Sequence, residues 1–166
     1  MGERGNFIHP SAAKFVKRNK VRLGVGVVVC KGVRIGKNVY INNNVVIQKG
    51  AHIGNHVGIQ ALAHICVNAI IEDDVFIGPS VSLAGVRDIR HGRGPYVREA
   101  PVIKRGARIG VGAIILPGVV VGEECLIGAG AVVTKSTEPF GIYMGCPARK
   151  VGVVEEKDRL KKEMKS

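Results

Sequence analysis

Between Leu83 and Val102 the chain gathers His91, Asp88 and four arginines, Arg87, Arg90, Arg93 and Arg98. An imidazole can take up a proton, and a nearby carboxylate can orient it or hold an ammonium. Guanidinium groups pair with phosphates and carboxylates. The set therefore suits a base-assisted reaction on an anionic ligand. The same residues also suit a solvated loop, because His91 stands among Gly92, Arg93, Gly94 and Pro95. A second group, His52, His56 and His64, has residue types that bind metal, but such a site needs converging geometry and supporting partners.

Whatever positions these residues is dominated by a period of six. An isoleucine, leucine or valine returns at Leu23, Val29, Ile35, Ile41, Ile47, Ile53, Ile59, Ile65, Ile71, Ile77 and Leu83. The register then breaks and resumes at Ile103, Ile109, Ile115, Val121, Ile127 and Val133. Four residues after every start except Leu83 and Val133 stands a second small or branched apolar residue, from Val27 and Val33 through Cys125 and Ala131. Neither helical nor simple alternating periodicity produces two inward positions per six residues. A short strand followed by a turn does. Three such sides close a coil of about 18 residues, and coils stacked at about 4.8 Å bond to one another as parallel strands. The hexads make between five and six coils, a rod roughly 27 Å tall at that spacing. The narrow interior accounts for the Ala and Val at the second position and for the four Phe, three Tyr and no Trp of the whole chain.

A chain of 166 residues suffices for one continuous solenoid. The reading is an all-β protein with one domain over 1–154, interrupted by an excursion over 84–102, and a tail over 155–166. Leu160 and Met164 lie four apart in that tail, which predicts a short C-terminal helix packed at one end of the prism. No stretch approaches the ~18 apolar residues of a membrane span, and the first ten residues lack an apolar run. A cytoplasmic protein is expected. Cys30, Cys66, Cys125 and Cys146 form no CxxC pair, so they read as reduced thiols. The formal charge of +12 concentrates at the N-terminal entry, in the tail and in the excursion. Basic residues without interleaved aromatics, and without a reading element, argue against nucleic acid as a partner.

Several motifs resemble those of the hexapeptide-repeat acyltransferases. They are IEDDVFIGP at Ile71 to Pro79, VIKRGA at Val102 to Ala107, LPGVVVGE at Leu116 to Glu123, IGAGAVVTK at Ile127 to Lys135 and GCPAR at Gly145 to Arg149. The resemblance runs from HPSA at His9 to Ala12 through PARKVG at Pro147 to Gly152. It implies a left-handed parallel β-helix, a homotrimer and acetyl-CoA as co-substrate. Within the family the likeness is greatest to N-acetyltransferases that modify the amine of a UDP- or dTDP-linked amino sugar for surface polysaccharides. Gly85 stands where that branch carries an Asn, and Asp88 where a branch acetylating sugar hydroxyls carries its His.

Transfer from a thioester needs a free nucleophile, a stabilised oxyanion and a fixed approach. His91 and Asp88 are the candidate catalytic residues. Gly85, Arg87, Arg90, Arg98 and His64 are the candidate acceptor-binding residues. The resemblance assigns Gly112, Ala113, Gly130, Ala131, Lys135 and Arg149 to the coenzyme A groove, where the two cations complement phosphates. Three alternatives stand beside this reading: O-acetyl transfer, a metalloenzyme like the γ-class carbonic anhydrases using His52, His56 and His64, and a scaffold that kept the fold without the chemistry.

Overall fold

The computed structural model describes residues 5–88 and 91–160. Every hexad start from Val29 to Val133 is at most 2% exposed, and the second apolar register is at most 3% exposed. Each of these large side chains contributes roughly 2 kcal/mol by leaving water. The hexads become seventeen two-residue strands, each an outward residue followed by an inward one.

Three parallel sheets form the sides of a left-handed β-helix. The first stacks β1 (Phe7–Ile8), β3 (Val28–Val29), β6 (Val46–Ile47), β9 (His64–Ile65), β12 (Ser82–Leu83), β15 (Ile114–Ile115) and β18 (Val132–Val133). The second holds β4 (Arg34–Ile35), β7 (His52–Ile53), β10 (Ile70–Ile71), β13 (Val102–Ile103) and β16 (Val120–Val121). The third holds β2 (Arg22–Leu23), β5 (Tyr40–Ile41), β8 (Gly58–Ile59), β11 (Phe76–Ile77), β14 (Arg108–Ile109) and β17 (Leu126–Ile127). A hairpin of β19 (Gly141–Met144) and β20 (Arg149–Val153) extends the third sheet. The chain passes from third sheet to first to second, so the first sheet has an entry corner and an exit corner in every coil.

The corners depend on one residue. Three places after an inward start the backbone is left-handed, as at Asn44 (φ 55°), His56 (φ 55°), Asp74 (φ 60°) and Gly112 (φ 65°). Gly, Asn and Asp tolerate that conformation best.

Helix α1 (Pro10–Arg18) is the element the period does not predict. Pro10 opens it, the His9 Nδ1 atom accepts from the Ser11 N–H, and Ala12 is buried. It packs against β4, the terminal strand of the second sheet. Asn19 Nδ2 donates to the Ile35 carbonyl at 2.6 Å and the Gly32 N–H donates to Ser11 Oγ at 2.9 Å. The helix and its flanks thus satisfy part of an edge that would otherwise be open to another strand.

At the other end the tail differs from its expected form. Within the described residues it holds one 3-10 turn, Glu156–Asp158, and 161–166, with Met164, lie outside them. It runs along a corner and not across the last coil. The Arg159 guanidinium lies 4.2 Å from the Phe140 ring centroid, and the Leu160 N–H reaches both Glu124 oxygens at 3.0 Å. Those contacts hold it extended where propensity alone favours a helix.

The excursion leaves β12 and returns at β13 as a small antiparallel ladder. Val86 bridges Arg98, the Arg87 N–H donates to the Val97 carbonyl at 3.2 Å, and the Glu99 N–H donates to the Gly85 carbonyl at 3.1 Å. Among the described residues no helix is long and apolar enough to cross a membrane.

Candidate active site

Both edges of the first sheet carry unsatisfied chemistry. Along the upper entry corner run Gly110 to Gly112 and Gly128 to Gly130. Gly78 and Gly110 are glycine because the next coil lies against them. A Cβ at Gly78 would sit 2.7 Å from the Ile109 carbonyl oxygen, and one at Gly110 would sit 2.7 Å from the Ala129 nitrogen. Gly112 and Gly130 face open space. Among the described residues no hydrogen bond reaches the N–H of Val111 or Ala129. The result is an uncovered groove with backbone donors, fit for a chain that bears carbonyl or phosphate oxygens.

The exit corner holds a cavity of about 450 Å³ beneath the root of the excursion. His64 and Ser82 line it from adjacent strands of the first sheet, Gln48 and Cys66 from the corner, and Gly85 and Arg98 from the excursion. Gly85 is tight against Cys66, since a Cβ there would lie 3.1 Å from Sγ. Burial pushes the Cys66 thiol up to about 11, which leaves it protonated and a poor nucleophile near neutrality. Each strand of the first sheet is two residues long, so groove and cavity lie about 10 Å apart across it.

Three of the acceptor candidates, His64, Gly85 and Arg98, therefore come together. Arg87 turns away and pairs with Glu99 at 2.6 Å. Arg90 lies outside the described residues. His91 is exposed on the excursion with Nδ1 3.4 Å from the Tyr96 hydroxyl, and Asp88 is half-buried on the same arm. Neither lines the cavity. Of the groove candidates, Gly112 and Gly130 are open, but Ala113 and Ala131 are wholly buried inward residues. Their side chains fill the core, so only their backbone can serve a ligand. Lys135 follows β18 on the exit side. Arg149 begins β20 just after Ala148, whose N–H donates to the Val132 carbonyl at 2.8 Å, so it lies toward the entry side. The two cations stand at opposite edges of the sheet.

Gln48, Cys66, Ser82 and the N–H groups of Val111 and Ala129 are absent from the sequence assignment. The stacking interval of 18 would have found the first two, because Gln48 and Cys66 occupy the same place in successive coils. His52, His56 and His64 lie on the second sheet, the next corner and the first sheet, so within one chain they do not converge. His56 Nδ1 is 3.3 Å from Asp74, which also accepts from Arg105 Nε at 2.9 Å. That corner is chemically occupied: Lys104 pairs with Glu72 at 2.8 Å, and Asp73 accepts from the Asn55 N–H at 2.7 Å. Among the described residues no group of three His, Cys, Asp or Glu is placed to hold a metal.

Comparison with known proteins agrees with the repeat fold. Residues 100–135 match the family model of the bacterial transferase hexapeptide, and residues 19–49 that of the hexapeptide repeat of succinyl-transferase. Serine acetyltransferase of Salmonella typhimurium is 44% identical over 84 residues, 51% of this chain and 29% of that protein. The chain thus spans less than a third of that relative's length. A Bacillus cereus crystal structure, provisionally described as an acetyltransferase, superposes with a TM-score of 0.69 at 27% identity, covering 95% of this chain and 83% of the other. The Bacillus cereus N-acyltransferase AntD, solved with dTDP and coenzyme A, gives 0.76 at 22% identity and covers 94% of both chains, a likeness of fold.

Proposed function

We propose that this hexapeptide-repeat chain is an acetyltransferase that takes its acetyl group from acetyl-CoA and delivers it to the amine of a nucleotide-linked amino sugar. The observation that carries the reading is the pairing of an open, donor-lined groove on one edge of the first sheet with a cavity on the other. The groove takes the extended thioester. Arg149 and Lys135 meet its phosphates from the two sides. The acceptor enters beneath the excursion, with Arg98 on its anionic half and Asp88 and His91 at the rim.

The amine nitrogen attacks the thioester carbonyl carbon, the C–N bond forms, and the C–S bond breaks with coenzyme A as leaving group. Backbone N–H groups along the groove stabilise the oxyanion that forms between these events. Holding donor and acceptor within one strand's width supplies much of the acceleration, because the encounter becomes intramolecular. Ile70 and Phe76, both over 40% exposed, lie on the second and third sheets, and a homotrimer would cover them. We assign the chain to the cytoplasm, where its free thiols stay reduced.

A second acceptor has its own support. The relatives named serine acetyltransferase favour L-serine, whose hydroxyl would be acetylated in place of an amine. Calorimetric titration with acetyl-CoA, followed by turnover on UDP- and dTDP-linked amino sugars and on L-serine, separates the readings. Saturable acetyl-CoA binding with turnover on a nucleotide sugar supports the first, and turnover on L-serine alone supports the second. A folded protein that binds no acetyl-CoA refutes both.

A further inference from the structure

We infer that His64 takes the proton from the attacking acceptor, an assignment that rests on the acetyl-transfer reading. The chain has five histidines, and three are engaged elsewhere. His9 caps α1 through Nδ1. His56 faces Asp74 at 3.3 Å, and His91 faces Tyr96 at 3.4 Å on an exposed arm. His52 is exposed on the second sheet, beside a separate hollow with Ile70 and Arg105. Only His64, among the described residues, lines the cavity beneath the excursion.

Its surroundings favour that role. His64 is half-buried, and no hydrogen bond or ion pair engages its ring among the described residues. Both ring nitrogens are therefore free for a ligand. Val46 flanks it on one side and Ser82 on the other, each about one strand spacing away. Arg98 is a cation, Cys66 a protonated thiol, and Gln48 and Ser82 are neutral hydrogen-bonding groups. None of these four has a lone pair basic enough to accept an ammonium proton, whereas an imidazole has. The acceptor binds as the free amine, its ammonium proton having passed to water. The nitrogen lone pair attacks the acetyl carbon while His64 takes one N–H proton, and the imidazolium gives that proton to the departing thiolate of coenzyme A, leaving a neutral amide. His64 also stands on the strand that joins the two corners of its coil, and its neighbour β12 lies directly below the coil that opens into the groove.

The test uses the full chain with acetyl-CoA and three acceptors: a UDP-linked amino sugar, a dTDP-linked amino sugar and L-serine. Released thiol is followed against pH. His64→Gln should lower kcat at least ~100-fold, the scale of a lost general base. Acetyl-CoA affinity should stay within about twofold. The wild-type fall in kcat toward acid should vanish, because an imidazolium cannot accept a proton and the variant has none to form. Added imidazole should restore part of the activity of His64→Ala. A His64→Gln kcat within about threefold of wild type, beside a full loss in His91→Ala, overturns the assignment. Loss of acetyl-CoA binding in both His64 variants, without rescue by imidazole, also overturns it by making the residue structural. If the wild type binds acetyl-CoA but releases no thiol with any acceptor, the acetyl-transfer reading fails and this inference falls with it.

Discussion

The entry corner of the first sheet is built in two ways along one rod. In the lower coils asparagine side chains fold over it. Asn43 Oδ1 accepts the Val25 N–H at 2.8 Å, and Asn44 Oδ1 covers Gly26 so closely that a Cβ there would overlap it. In the upper coils the same positions hold Val111, Ala129, Gly112 and Gly130, and the donors stay uncovered. Backbone shape is alike in both, since Gly26, Asn44, Gly112 and Gly130 all have φ between 55° and 69°. The difference is therefore one of side-chain capping, and it separates a corner closed by side chains from an open one, the corner to which the proposed function assigns acetyl-CoA.

The strongest way to break the contrast is to remove the glycine that lets the open coils stack. Gly110→Ala places a methyl against the backbone of Ala129 and should cost ~3 kcal/mol in chemical denaturation. A loss under about 1 kcal/mol would show that the coils can part there. Next comes a transplant: Ala129→Asn copies the relation of Asn43 to Val25 onto Val111. It should cap the Val111 N–H and weaken acetyl-CoA roughly tenfold, about 1.4 kcal/mol, by occupying the groove. Unchanged affinity by calorimetry would remove that N–H from the donor site. The reverse change, Asn43→Ala, should cost ~1 kcal/mol in thermal unfolding and leave acetyl-CoA binding intact. A parallel loss of binding would contradict the division of labour.

The smallest effect concerns pH at the corner between second and third sheets. The Asn55 backbone N–H, followed by its side-chain amide, holds the Asp73 carboxyl below its usual range. A carboxyl depressed on folding contributes stability above its unfolded value, near 3.9, and that contribution is lost as pH falls through the folded value. Wild type should thus exceed Asp73→Ala by ~1 kcal/mol or less at pH 7, for a group that is partly exposed, and the gap should narrow once pH drops below the unfolded carboxyl value and close after it has passed the folded one. A gap that persists there would assign the effect to packing.

The inward registers were legible because each buried position repeats with the same chemistry, and the core admits little else. The open groove was legible only as glycine, because whether Val111 is capped depends on residue 129, one full coil later. Helix α1 carried its own signal: Pro10 at the start, Ala12, Phe15 and Val16 at helical spacing, and Lys17 and Arg18 in the last turn. The repeat overshadowed it. His64 stood among the acceptor candidates of the sequence, but its cavity exists only because the excursion folds back through Val86 and Arg98. The chemistry of His91 drew attention to the excursion, whereas its reach depends on a loop conformation that no period encodes.

Pairing in the second sheet stays regular on both sides of the excursion: Ile70 aligns with His52 at an interval of 18 residues and with Val102 at an interval of 32. The excursion thus adds 14 residues, the difference of those intervals, without shifting a single rung. Loop-closure entropy grows only as (3/2)RT ln n, so doubling such an insertion costs about 0.6 kcal/mol. The rod behaves as a chassis and the excursion as an exchangeable part. On the acetyl-transfer reading, acceptor choice changes by swapping one segment, while the groove proposed for the donor stays in register.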